Sequence, residues 1–224
     1  MVQNKYSKTI LSSLLLSMIF AFLFWGGIFS LTSKFNIEWL VFSALVAIII
    51  VSIYYFVFRY LATKYDYIHE HEFLWKPALV SFVAGALLHL PIAIVSRERL
   101  NDNYTKKYIT PNYGQQKEGY IYLLGSEIYL LFLVILLFLP QNSFISYVFF
   151  GGAIFAFWQI APLVSFAYVK IKAVKTPYLW LLLLYFLWFF VLLSKLLQKE
   201  LAIFVFFALV FSVLYMVYYK IPNI

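Results

Sequence analysis

Long apolar runs recur along this chain and constrain its fold more than any other feature. They lie at 9–31, 39–58, 77–95, 119–139, 144–168, 177–197 and 201–219. The hydrocarbon core of a bilayer is about 30 Å thick, and roughly 20 apolar residues cross it as a helix. Peptide groups in lipid must be hydrogen-bonded within the protein, and runs without strand-like alternation therefore indicate helices. The sequence predicts an all-α, polytopic membrane protein.

Composition supports lipid as the solvent. The chain is 65% hydrophobic and 12% charged, with a mean hydropathy of +0.90. The net charge of +8 comes from cations that flank the apolar runs, which favours anionic headgroups rather than nucleic acid as their partner. There is no cysteine, so disulfide and thiolate chemistry are excluded. The 9–31 run is too long for a signal peptide and is predicted to be a retained span.

The distribution of cations predicts how many runs cross. If all seven cross, seven of the 17 Lys and Arg residues lie on the side of the N-terminus and ten on the other. If 77–95 instead enters and returns on one side, only Lys34, Lys195 and Lys199 oppose the remaining 14. Cations accumulate on the cytoplasmic side, so about six spans plus a re-entrant hairpin are expected, with both termini cytoplasmic.

The 77–95 run has features that suit a hairpin. Gly85 lies near its middle, where an apex needs a permissive backbone. His89 and Pro91 interrupt its second half. Residues 96–118 then form the longest polar segment, which is predicted to be a cytoplasmic loop of mixed charge.

Three polar side chains fall inside apolar runs. Glu127 lies eight residues into the 119–139 run, near the middle of the bilayer, where an ionisable group is costly. It either holds helices together as a hydrogen-bonded or protonated carboxyl, or it lines an ion path or binding site. His89 is a possible partner for it, although a lone histidine in an apolar run is more often simply hydrogen-bonded. Gln159 is expected to bond across helices.

The sequence His69-Glu70-His71-Glu72 has the composition of a metal site without its helical spacing. Histidines two residues apart point the same way only on a strand, and a helical pair needs a spacing of four, where Phe73 stands. The favoured interpretation is a solvated interfacial charge run. Separately, a small-residue face is expected to permit close helix packing; its members are Gly151, Gly152, Ala153 and Ala156.

Several landmarks resemble the site-2 protease family of intramembrane zinc metalloproteases, particularly its prokaryotic members. Segment 60–67 is similar to the end of the family's His-Glu-x-x-His span, and Glu72-Phe73-Leu74-Trp75 to its polar Glu-Phe-x-x-Trp stretch. Further similar segments follow in order at 91–94, 119–126, 159–162 and 166–171. With no internal repeat and no separate soluble domain in the sequence, a single membrane domain is expected, with a first span and loop at 1–38 and a last span at 191–224. The resemblance implies that 39–190, including the re-entrant 77–95, is a core similar to that of the family.

The departures from the family pattern indicate a non-catalytic member. The resemblance places Tyr54, Tyr55 and Phe58 where the family has His, Glu and His, and Ala167 where its third zinc ligand, an Asp, stands. A catalytic zinc needs about three protein ligands and a base, and neither Tyr nor Phe replaces them here. No metal or other cofactor is therefore expected.

Three functions remain as hypotheses. The first is a pseudoprotease that serves as a structural, assembly or transmembrane-segment-binding subunit of a larger membrane complex in the cell membrane. The second is a transporter or channel with Glu127 as its coupling group. The third, a metalloprotease using His69, His71 and His89, is disfavoured because their spacing offers no tetrahedral site.

Overall fold

The computed structural model describes residues 5–25, 37–88, 90–102, 111–160, 177–196 and 199–220. This part of the chain is mostly helical. Its elements, in chain order, are α1 (Lys5–Trp25), α2 (Ile37–Lys64), β1 (Tyr67–Phe73), α3 (Trp75–Leu88), β2 (Ser96–Asp102), α4 (Pro111–Phe138), α5 (Ser143–Ile160), α6 (Pro177–Leu196) and α7 (Lys199–Tyr215), which continues as a π-helical turn, Met216–Lys220.

Three helical segments are long and apolar enough to cross a membrane: Ile37–Lys64, Lys117–Phe138 and Leu201–Tyr219. Four shorter apolar helical segments accompany them, at Ser7–Leu23, Trp75–Leu88, Ser143–Gln159 and Leu182–Leu196. Many large apolar side chains on these helices are exposed, as expected where lipid replaces water. These observations indicate a membrane protein.

The two strands depart from the predicted all-α class. β1 and β2 pair in a two-stranded sheet. Glu72 meets Arg97, His71 meets Glu98, and the Leu74 amide donates to the Val95 carbonyl. Each step forward along one strand is thus a step back along the other, so the strands run antiparallel. The prediction that 96–118 is a loop is wrong for Ser96–Asp102, which forms β2, and for 111–118, which forms the beginning of α4.

The segment between the two strands consists of α3 and an extended return, residues 90–95. After α3, the Leu90 amide donates to the Ala84 carbonyl, and the Ile94 amide donates to Ser81 Oγ at 3.0 Å. The chain thereby returns along α3 to the end where the helix began. The prediction that Gly85 forms an apex is wrong, because Gly85 lies inside α3, where a Cβ would come within 3.6 Å of Ile19 on α1. A glycine in such a helix serves close packing.

The chain divides into two compact units. The first comprises Met1–Tyr55, Glu70–Arg99 and Asn142–Trp158, and the second comprises Phe56–His69, Leu100–Gln141 and Gln159–Ile224.

In the first unit, α1 packs against α3 through the rings of Phe22 and Phe82, whose centroids are 5.4 Å apart. The small-residue face on α5 is buried, and a Cβ on Gly151 would come within 3.1 Å of Phe20 and Ile50. The prediction of close helix packing at this face is confirmed.

In the second unit, α4, α6 and α7 pack against one another. The rings of Phe138 and Phe206 meet edge to face, with centroids 6.2 Å apart. The core of this unit includes Leu130, Leu133 and Leu209, all fully buried.

Candidate functional site

Tyr54 and Tyr55, at positions that the resemblance equates with metal-binding or catalytic residues, are packed as core side chains. Both are buried on α2. The Tyr54 ring lies edge to face with Phe155 on α5, with centroids 5.2 Å apart. The Tyr55 ring lies edge to face with the His71 imidazole, at 6.1 Å. Pairs of this kind stabilise by about 0.5–1.5 kcal/mol beyond the area that they bury.

Phe58 packs directly against the backbone of α4. Its side chain is fully buried, and its ring lies 5.9 Å from that of Tyr122. A Cβ on Gly125 would come within 2.5 Å of Phe58 Cζ. The ring therefore fits only because residue 125 has no side chain.

Glu127 also lies on α4 and is fully buried. Its Oε1 accepts a hydrogen bond of 2.8 Å from Ser212 Oγ on α7. Its Oε2 is buried without a hydrogen-bond partner among the described residues. The carboxyl joins two packed helices and retains an unused oxygen, which fits both interpretations of it, as an interhelical link and as a binding group.

A second polar cluster lies on β1, where the sequence predicted a solvated charge run. Tyr67, His69 and His71 are buried and alternate with the exposed Ile68 and Glu70. The prediction of solvation is wrong for both histidines. The physical reason is the strand itself, whose period of two turns every second side chain to the same face.

His71 is the centre of this cluster in the first unit. Its Nδ1 lies 2.7 Å from Glu98 Oε1 on β2, and its Nε2 lies 2.9 Å from Ser12 Oγ on α1. All three residues are buried, so the imidazole ties both strands to α1. A buried ionisable pair of this kind needs such bonds, because a buried charge without a partner is strongly destabilising.

The connectivity of Ser12, His71 and Glu98 is that of a serine-hydrolase triad, but the serine is poorly placed to attack. Ser12 Oγ donates to the Lys8 carbonyl at 2.9 Å, so its proton points into the helix and Nε2 acts as the donor. The backbone amides around Ser12 lie inside α1 and bond to carbonyls four residues earlier, which removes them as oxyanion donors. The arrangement therefore supports packing rather than acyl transfer.

Glu72 and Arg97 flank this cluster on the more accessible side of the strands. Arg97 Nε and Nη2 each lie 2.6 Å from Glu72 Oε2. The hydrogen bond from Arg97 holds the pKa of Glu72 below its usual range, with smaller contributions from Arg97, Arg99 and Lys8 as nearby charges. Both side chains are about one-third exposed, so the pair stabilises the fold by at most about 1 kcal/mol.

The remaining predicted residues are placed as follows. Gln159 is buried near the end of α5. His89 and Ala167 lie outside the described residues. The predicted contact between His89 and Glu127, and the position that the resemblance equates with the third zinc ligand, therefore stay untested predictions. Within the described ranges, no three His, Asp or Glu side chains gather closely enough to hold a metal ion.

Ser12, Glu98 and Ser212 are polar residues that sequence reasoning missed. Ser12 and Ser212 are single hydroxyls in apolar helices, a common and uninformative pattern. Glu98 belongs to a segment whose polarity indicates a loop. The one useful signal is the alternation of residues 67–73, which would place His69 and His71 together only on a strand.

Comparisons of this chain with protein-family models, with curated proteins and with solved structures find no match.

Proposed function

We propose that this chain is a non-catalytic membrane protein that serves as a structural, assembly or transmembrane-segment-binding subunit of a larger membrane complex, on a core similar to that of the site-2 proteases. The observation that carries the proposal is the packing of Phe58 against Gly125. A ring that needs a glycine opposite it belongs to a close-packed interior, where a volume change of one methylene is felt. Tyr54, seated against Phe155, supports the same conclusion.

The proposed topology is multi-pass, with about six spans, a re-entrant 77–95 segment and both termini on the cytoplasmic side of the cell membrane. The pairing of β1 with β2 supports the re-entrant segment, because these strands flank it on either side in sequence and are joined in one sheet. In its non-helical return, 90–95, Ala93, Ile94 and Val95 are buried, and backbone groups form hydrogen bonds within the protein. These bonds include the one from Trp158 Nε1 to the Pro91 carbonyl, as non-helical backbone at membrane depth requires.

The proposed surface for a partner helix is the exposed aromatic face of α7 and the turn that follows it. Phe204, Phe207 and Phe211 on α7 are exposed at spacings of three and four residues, and Tyr218 is exposed on the following turn. This spacing keeps the side chains on one side of a helix and is typical of a seam between two helices. Only 22% of this span is buried in the protein, which leaves most of its surface for lipid or a partner.

Purification from native membranes in a mild detergent tests this function. The wild-type chain is expected to bring a membrane protein with it in fixed stoichiometry. Replacement of Phe204, Phe207 and Phe211 by leucine keeps the surface apolar but removes the rings, and is expected to release the partner. The matched control replaces the exposed Phe56 and Phe189 by leucine and should retain it.

Recovery of the wild-type chain as a monodisperse lone protomer would contradict the proposal. Stoichiometric zinc in the purified protein would contradict the non-catalytic part of the proposal.

The alternative function is a transporter or channel that uses Glu127, and the unused Oε2 of this buried carboxyl favours it. Buried ionisable groups inside a membrane often mark ion or proton paths. In reconstituted liposomes, Glu127→Gln is then expected to abolish or uncouple flux, while Ser212→Ala reduces it. Wild-type flux in the Glu127→Gln variant would exclude the coupling role.

A further inference from the structure

A cavity of about 340 Å³ lies in the first unit, between α1, α3 and the end of β1. Its lining consists of apolar and aromatic side chains, which are Leu15, Met18, Phe73, Trp75, Leu79 and Phe82. Its volume lies within the range of small-ligand sites. A lining of this composition suits a hydrocarbon chain.

One end of the cavity has the character of a membrane interface. Trp75, the first residue of α3, is 62% exposed. The ammonium of Lys76 lies 5.5 Å from the centroid of the Trp75 ring. Tryptophan next to a lysine is typical of the headgroup level, where one face of the ring is apolar and its surroundings are charged.

Cations outnumber anions around this end. Lys8 lies on α1 two turns before the cavity residue Leu15, and Arg97 binds Glu72, which directly precedes the cavity residue Phe73. Arg99 follows two residues after Arg97 on the same face of β2. With Lys76 they make four cations, against the two accessible carboxylates Glu70 and Glu72. Arg97 is bound to Glu72, whereas Lys8, Lys76 and Arg99 are exposed. The surplus positive charge lies where the headgroup of a lipid would lie if its chain entered the cavity.

We propose that this cavity is a binding site for an anionic phospholipid of the bilayer, with one acyl chain between α1 and α3 and the phosphate among Lys8, Lys76 and Arg99. The proposal requires only that the chain lies in a membrane. It is independent of any protein partner and of Glu127. Each basic residue near an anionic lipid surface contributes about 1 kcal/mol, equivalent to roughly fivefold in affinity.

Quenching of Trp75 by brominated lipid tests the proposal. The protein is placed in phosphatidylcholine nanodiscs that contain a small fraction of either brominated phosphatidylglycerol or brominated phosphatidylcholine. The Trp75 signal is the difference between the wild type and Trp75→Phe. Half-maximal quenching is expected at an at least tenfold lower fraction of phosphatidylglycerol than of phosphatidylcholine.

Matched variants assign the preference to the site. The combination Lys8→Gln, Lys76→Gln and Arg99→Gln is expected to abolish the preference, whereas Lys64→Gln, at the end of α2, should preserve it. Met18→Phe with Leu79→Phe narrows the cavity and is expected to weaken quenching by phosphatidylglycerol.

Two outcomes overturn the proposal. Equal quenching of wild-type Trp75 by both lipids would mean that the ring only touches bulk lipid. Loss of the preference with inorganic phosphate, but not with chloride at equal ionic strength, would mean that the cations bind free phosphate rather than a lipid headgroup. Both measurements use the wild-type protein and do not depend on whether the triple variant folds.

Discussion

The Phe58 ring can fill part of the core of the second unit because Gly125, opposite it, has no Cβ. A phenyl ring reaches the backbone of α4 at a distance that no alanine at residue 125 would tolerate. The sequence places both residues in apolar runs but does not indicate that they meet, because a glycine in a membrane helix has many uses. By contrast, the burial of Glu127 could be predicted from its position alone.

Gly125→Ala is expected to destabilise the protein by about 1–3 kcal/mol, because the new methyl group overlaps the Phe58 ring. Thermal unfolding in detergent measures the effect, and Phe58→Leu in the same chain should restore part of the loss. Gly85→Ala is the matched control, since its Cβ would make an ordinary contact at 3.6 Å. Equal effects of the two alanine variants would contradict the close approach of Phe58.

At the scale of elements, the strand pair is the part of the fold that is hardest to predict from the sequence. β1 alternates in a way that can be recognised, with Tyr67, His69 and His71 facing inward. β2 buries Ser96, Glu98 and Leu100, so that two of its three inward positions are polar and the hydrophobic alternation of a strand is missing. The existence and position of the helices could be predicted because lipid imposes an apolar composition on them. Their ends could not, since α2 ends six residues after the 39–58 run and α4 begins eight residues before the 119–139 run.

Glu98→Leu is expected to lower the free energy of unfolding by about 2–4 kcal/mol, because it leaves His71 buried without its carboxylate. Glu98→Gln distinguishes the charge state: a small loss indicates a neutral pair, and a loss close to that of leucine indicates an ion pair. Hydrogen exchange at the amides of β1 and β2 should rise in parallel. Glu70→Leu, on the exposed face of the same strand, is the control, and an equal loss there would contradict the role of the buried pair.

At the scale of the whole molecule, the sequence predicts the solvent better than the path of the chain. The composition and the apolar runs identify lipid, and three helical segments meet the length and hydropathy that crossing requires. The number of crossings depends on how 75–95 is folded. That segment combines a helix with an extended return, and no single periodicity in the sequence describes both.

The proposed topology can be measured directly, since the chain has no cysteine of its own. Single cysteines at Glu70 and Arg99, which oppose each other on paired strands, are expected to react with a membrane-impermeant maleimide from the cytoplasmic side. A cysteine at Lys195 should react only from the other side. Labelling of residues 70 and 99 from opposite sides would mean that 75–95 crosses the membrane, and the six-span arrangement would be wrong.

The Ser81 hydroxyl supplies the hydrogen bonds that the backbone of Ile94 would otherwise need from water. It accepts from the amide of Ile94 and donates to the carbonyl of the same residue, at 3.0 and 3.4 Å. One hydroxyl thus satisfies both backbone polar groups of Ile94, which a helix would have satisfied with its own backbone. Without this hydroxyl, two buried backbone polar groups would lack hydrogen-bond partners and would favour the entry of water. The exclusion of water from this part of the returning chain therefore depends on one serine side chain rather than on a continuous series of backbone hydrogen bonds.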